Sequence, residues 1–270
     1  MKLSRRGLLK DAGVFLLGVT MGGLSSSLPK NMAMARTGKQ EAIEVPWLYK
    51  KLNPEVAAEN AYVGYYKDKG KCCYGVFEGI IAELRKEVGS PYTTIPTSMM
   101  IYGEGGIAET ANICGALNGA SALIFLTTGR IEIEKRGVAY ALINELFNWY
   151  EQEALPNYRP KNPKFEIVKS VSRSTICHAS VSNWCKTAKF KSFSKERSER
   201  CAWLTASVAK YAVELLNKNF EGNFKPVHNL SATVQSCRSC HDEGSVLENT
   251  RGTMDCGGCH FTQKIKHPKT

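Results

Sequence analysis

The chain has 270 residues, a formal net charge of +11 and ten cysteines. That length allows one large domain plus a small one. The basic excess comes with no nucleic-acid-binding motif, which argues against a nucleic-acid partner and leaves an acidic redox protein as the partner such a charge would steer.

In chain order, Ser4-Arg5-Arg6-Gly7-Leu8-Leu9-Lys10 is a twin-arginine pattern, with Leu8 where Phe is more usual. A short apolar stretch follows at residues 14 to 21, interrupted by Gly18, and Ala33-Met34-Ala35 offers a cleavage site. Residues 1–35 are therefore expected to be a twin-arginine signal peptide, and the mature protein periplasmic. The apolar stretch is too short for a bilayer core, which takes about 20 residues. No later segment reads as a span; residues 107 to 126 are apolar but carry Glu109, Asn112 and Asn118.

The body reads as helices. Cys73, Val76, Phe77, Ile80, Ile81 and Leu84 form a helical stripe that Gly89 can close. Residues 106 to 127 are apolar nearly all round, with Gly115 and Gly119 four apart, which predicts a buried central helix that a neighbour approaches closely. Residues 131 to 152 predict another helix. Residues 196 to 218 predict a further one, with Ser194 as its cap. Residues 153 to 173 hold three prolines and a β-like run from 165 to 171, expected to be a surface excursion with one strand. From about Gly222 the chain is polar and too poor in large apolar residues to bury much core. The fold class is mainly α. A helical domain over residues 45–221, with a buried central helix, is followed by a small irregular C-terminal segment over 222–270.

That last segment carries two C-x-x-C-H motifs, Cys237-Arg238-Ser239-Cys240-His241 and Cys256-Gly257-Gly258-Cys259-His260. Two thiols at this spacing can add to the two vinyl groups of a haem, and the adjacent His can bind its iron, so two haem c groups per chain are expected. The four cysteines also fit the spacing of a zinc ribbon, which does not require a His after each pair. With His241 and His260 as proximal ligands, two His ligands per haem require two more. His228 and His267 lie in the same segment and are the candidates; Met254 is its only methionine. His267 lies close to the chain end, where ligation of a haem in a partner subunit would give it a reason to be ordered.

Cys72, Cys73, Cys114, Cys177, Cys185 and Cys201 lie outside that segment. In an oxidising compartment an even set of cysteines suits disulfides. Cys73, Cys114 and Cys201 also sit on or near apolar helical faces that converge on one core, which suits an iron–sulfur cluster. The spacing does not choose between these.

Lys71-Cys72-Cys73-Tyr74-Gly75-Val76-Phe77, Ile113-Cys114-Gly115-Ala116-Leu117-Asn118-Gly119-Ala120, and then Cys177 and Cys201 resemble the bacterial C_GCAxxG_C_C family of helical redox proteins. Coupled to two C-terminal haem motifs and a twin-arginine leader, residues 45 to 270 resemble the split-Soret cytochromes of sulfate-reducing bacteria. The resemblance implies a homodimer with two haems per subunit packed close together at one end. Each haem would have two His ligands, one donated across the dimer. It also implies a cysteine-lined 2Fe–2S type cluster in the helical domain. By position the cluster candidates are Cys73, Cys114, Cys177 and Cys201; Cys72 abuts the first, and Cys185 follows Cys177 by eight. His178, next to Cys177, is an alternative ligand of the cluster, or of a haem in place of His228 or His267. The reading is a periplasmic dihaem electron carrier rather than an enzyme, passing electrons between an iron–sulfur centre and a close haem pair. The alternatives are a small-molecule reductase acting at a haem or cluster, and a disulfide-stabilised zinc-ribbon protein.

Overall fold

The computed structural model describes residues 44–260. The signal segment and His267 lie outside them, as does the side chain of Cys259. Eight α-helices, three 3₁₀ segments and one two-stranded ladder make up the regular structure among the described residues.

Helix α1, Pro54–Tyr66, begins at a strong local signal: Asn53 accepts from the Glu55 and Val56 amides, Pro54 opens the helix and Glu55 faces its positive end. The apolar-stripe reading did not predict it, because its buried face is mostly Ala57, Ala58, Ala61 and Gly64 with two tyrosines. Helix α2, Lys71–Glu87, follows the predicted stripe, and Gly89 after it has φ +84°. Helix α3, Gly115–Thr128, is the buried central helix but starts nine residues later than the expected 106. The reason is backbone handedness: Gly105, Gly106, Ile107, Ala108, Glu109 and Ala111 all have positive φ, so no right-handed helix can run through them. Helix α4, Gly137–Gln152, ends as expected but starts six residues later than 131, after a separate 3₁₀ turn at Ile133–Lys135; α6, Lys195–Phe220, matches closely, and Ser194 caps it by accepting from the Arg197 amide at 3.1 Å.

Helix α6 packs on α1, α2, α3 and α4, and α2 packs on α1, α3 and α6. Their apolar faces form one core that includes Ile80, Ile81, Leu84, Leu117, Leu123, Leu142 and Val208. The glycine pair in α3 lets α2 come close, as expected. A Cβ at Gly119 would lie 2.4 Å from the Cys73 carbonyl oxygen, and one at Gly115 2.5 Å from Cys72 Sγ.

The excursion after α4 holds less strand than expected. β1 is Ala154–Leu155 and β2 is Ser170–Val171, paired antiparallel, so the run from 165 contributes only its end. Between them the chain is tied down by the buried Glu199. Its carboxylate accepts from the Lys164 amide at 2.9 Å, Tyr62 Oη at 2.8 Å and Trp203 Nε1 at 2.8 Å, and also bonds Tyr66. Helix α5, Cys177–Ala188, was not predicted. The polar tail contains α7, Ala232–His241, and α8, Gly257–His260, with irregular chain around them. No described helix is long and apolar enough to cross a membrane.

Because the atoms that oppose a Cβ at Gly119 are backbone atoms of α2, they cannot move aside. Gly119→Ala is expected to cost about 1–3 kcal/mol, the range for overpacking a dense interior, read from the urea midpoint.

Candidate metal centre and haem-attachment segment

One backbone feature gathers the thiols. Residues 112–114 lie antiparallel to 175–177, with the Cys114 amide donating to Thr175 O at 2.8 Å and the Cys177 amide to Asn112 O at 2.6 Å. The His178 amide donates to Ala111 O at 3.1 Å. The first amides of α5, which a helix cannot satisfy internally, are thus paired by the chain leading into α3. Cys114, the residue before α3, and Cys177, the first of α5, become neighbours across this pairing. Cys72, second in α2, and Cys201, in the second turn of α6, complete the group.

Cys72, Cys114, Cys177 and Cys201 line one cavity of about 20 Å³, together with Tyr150, Ser180 and Arg200. Cys72, Cys177 and Cys201 also line a larger pocket of about 560 Å³, flanked by Lys71, Glu104, His178 and Arg197. The cavity therefore contains Cys72 where Cys73 was expected. Successive helical residues lie about 100° apart. Cys73 shares the core face with Phe77 and Ile80, and its sulfur lies where a Cβ on Gly103 would meet it at 2.5 Å. The stripe that pointed to Cys73 was a packing signal. Of the second pair, Cys177 lines the cavity and Cys185 does not.

The described cysteines are all free thiols, so no disulfide joins them. Burial pushes Cys72 and Cys114 up and takes Cys73 and Cys177 to about 12. Opposing this for Cys114 are the Tyr150 hydroxyl, the Ala116 amide and Arg200. Three of the four thiols also stand at helix beginnings, whose positive dipole end favours anionic sulfur. No three Cys, His, Asp or Glu side chains among the described residues already surround a single metal-sized point. The thiols instead ring a small space beside a larger one. A cavity of this size holds about one water, so the thiols would have to move apart to admit a multi-atom cluster. The donor set fits: four thiols, cationic groups around them, and one orphaned buried donor, the Arg200 Nε.

The tail is docked by polar contacts to α4. Glu145, wholly buried, accepts from Tyr211 Oη at 2.8 Å, the Val227 amide at 3.0 Å, the His228 amide at 3.0 Å and His228 Nδ1 at 2.7 Å. Burial pushes its carboxyl upward, but these donors outweigh it and hold it below its usual value. His228 Nε2 is left facing outward, 3.4 Å from Glu153. Further along, Glu151 accepts from the Asp255 amide at 3.3 Å, and Asp255 accepts from Ser231 Oγ at 2.7 Å and the Gly257 amide at 2.7 Å. The start of the second C-x-x-C-H motif is thereby fixed against α4. The Cys237 and Cys256 thiols, first in each motif, are hydrogen-bond neighbours. His241 Nδ1 is held by Asn249 Oδ1 at 2.7 Å. A pocket of about 730 Å³ lies beside the second motif, bordered by Glu151, His178, Ser182, Asp255 and Gly257. His178 borders both this pocket and the one at the thiols. Glu145 and Glu151 escaped the sequence reading. They sit on α4, and burial of two carboxylates there was the available signal.

Residues 72–215 match the model of a family described as "Putative redox-active protein (C_GCAxxG_C_C)". The match begins at Cys72, the cysteine that lines the cavity. Over 271 aligned residues the chain is 35% identical to the split-Soret cytochrome c of Desulfovibrio desulfuricans, covering 96% of this chain and 95% of that one. A solved structure of the split-Soret cytochrome c from Desulfovibrio desulfuricans, described as containing a novel iron centre, superposes with a TM-score of 0.74. It is 37% identical and covers 82% of this chain and 95% of its own.

Glu151 supplies a pH test. Burial, with the Asp255 amide opposing and the Asp255 charge adding, raises its carboxyl to about 7 from an ordinary 4.5. Between those values the folded chain holds a proton that the unfolded chain has lost, so stability falls as pH rises from about 4.5 to 7. Urea midpoints at pH 5 and pH 7.5 are expected to differ less in Glu151→Gln than in the wild type.

Proposed function

Because the chain belongs to the C_GCAxxG_C_C family and to the split-Soret cytochromes c within it, we propose that it is an exported dihaem electron carrier with a separate cysteine-held iron–sulfur centre. Its redox character as an electron-transfer cytochrome follows from membership. The haem number, the cluster, the dimer and the twin-arginine route are the finer parts of the proposal. Bound haem iron and the cluster supply one-electron chemistry; the chain supplies attachment, ligation and burial, which set the potentials.

Cys237 and Cys240 would hold one haem, and Cys256 and Cys259 the other, with His241 and His260 as proximal ligands. The contact between the Cys237 and Cys256 thiols supports a close pair of attachment sites. Asn249 fixes the tautomer of His241, and Glu145 does the same for His228. His228 is accordingly the better supported distal ligand. His178, exposed on the pocket beside the second motif, shares the remaining position with His267. A ligand donated across a homodimer fits the outward set of the His228 ring. Cys72, Cys114, Cys177 and Cys201 would hold the cluster, and the single observation that carries this is their meeting around one cavity.

The pocket that opens onto three of these thiols, with Lys71 and Arg197 at its wall, favours a second reading. In it the site reduces a small anionic molecule. Turnover of such a molecule by reduced protein would separate that from a pure carrier.

Iron, acid-labile sulfide and pyridine haemochrome of anaerobically prepared protein test the main reading. Two haem irons per chain plus further iron with sulfide are expected. Haem iron alone would remove the cluster. Cys72→Ser is expected to lose the non-haem iron and sulfide, whereas Cys73→Ser keeps them at some cost in stability. The reverse pattern would reassign the ligand.

A further inference from the structure

Arg200 is the anomaly of this core. It is 1% exposed, in the second turn of α6. One terminal nitrogen donates to Ser180 Oγ at 2.8 Å, the other lies 4.0 Å from Cys201 Sγ, and Nε has no partner. None of the ion pairs among the described residues includes it. A buried cation without an anion is among the costliest arrangements in a protein interior.

What surrounds it sharpens the point. No Asp or Glu lines the cavity at which it stands; the lining groups are thiols and donors. Tyr150, itself wholly buried, donates to Ser180 Oγ at 2.8 Å. Arg200 thus shares the Ser180 hydroxyl oxygen with Tyr150. Arg197, about one turn earlier on α6, adds a second positive group on the same side. The beginnings of α2, α3 and α5 add three positive helix ends. No carboxylate in the lining balances this charge. Thiolates and sulfide bound to iron would.

We propose that Arg200 is the counter-ion of an anionic iron–sulfur centre held by Cys72, Cys114, Cys177 and Cys201, and that its unpaired Nε–H is the donor reserved for a sulfur of that centre. This rests on the cluster reading above and goes beyond it by naming the residue that sets the centre's charge balance. A reduced centre carries one more negative charge than the oxidised one, so the guanidinium favours reduction and raises the potential.

The test uses full-length, haem-loaded, anaerobically purified protein, as wild type, Arg200→Met and Arg200→Lys, with an EPR-monitored redox titration of the non-haem centre. Arg200→Met is expected to lower the midpoint so that the reduced-to-oxidised ratio at a given poise falls tenfold or more, about 59 mV for one electron. Arg200→Lys, which keeps the charge, is expected to shift it less. Loss of non-haem iron in Arg200→Met but not in Arg200→Lys would also support the proposal. An unchanged midpoint in Arg200→Met overturns it, as does an equal effect of the two variants on midpoint or iron. Because Arg200→Met faces a dense core, a second measurement needs no variant to fold. Wild type labelled with ¹⁵N-arginine is expected to show a ¹⁵N coupling to the reduced centre by pulsed EPR, and its absence overturns the proposal. Wild type lacking non-haem iron and sulfide altogether would instead remove the cluster reading itself, an outcome distinct from a loaded centre indifferent to Arg200.

Discussion

The thiol site depends on a few backbone hydrogen bonds. The pairing of residues 112–114 with 175–177 joins two stretches more than sixty positions apart, and it does so at the first residue of one helix and the residue before another. Helix beginnings are rich in unpaired amides, so each offers a place that must be satisfied by something outside the helix. Here the two beginnings satisfy one another in part, and the cysteines they carry are brought face to face. The run of positive φ from Gly105 to Glu109 is what turns the chain into this position. Backbone strain of that kind persists only where surrounding structure holds it, and it is characteristic of binding sites.

Burial and charge oppose each other around these thiols. Burial pushes Cys72, Cys114 and Cys177 upward, while helix ends, Arg197 and Arg200 favour negative sulfur. No carboxylate lines the cavity to balance the cations. The same groups would favour a metal–sulfur centre, because iron binding replaces the protons and supplies the missing negative charge. A core built only for stability would not leave a guanidinium in this position.

The tail solves a different problem. It has little apolar surface to bury, so it is held through polar contacts to α4, from the carboxylates Glu145 and Glu151 and the amides of Asn148 and Gln152. Glu145 and Glu151 accept tail amides at two points, and Glu145 also grips His228. Buried acceptors with several donors are specific in a way that apolar contact is not. They fix which residues of the tail face α4 and leave the two haem motifs in contact with each other through Cys237 and Cys256.

By itself, the sequence determined what local chemistry can specify. The apolar periodicity marked α2, α4 and α6, the glycine pair marked the close approach to α3, and the two C-x-x-C-H motifs named their own chemistry, since five adjacent residues suffice for it. It could not place α1, whose buried face is too small-residued to read as a stripe, nor the true start of α3, which depends on handedness in the preceding loop. It could not separate Cys72 from Cys73 either. Adjacent residues share the same composition and differ only in direction, and direction is set by which face of α2 the rest of the molecule covers. The meeting of four thiols from four helices, and the unpaired Arg200 among them, were decided by tertiary packing alone, because no local pattern encodes which helix beginnings will face one another.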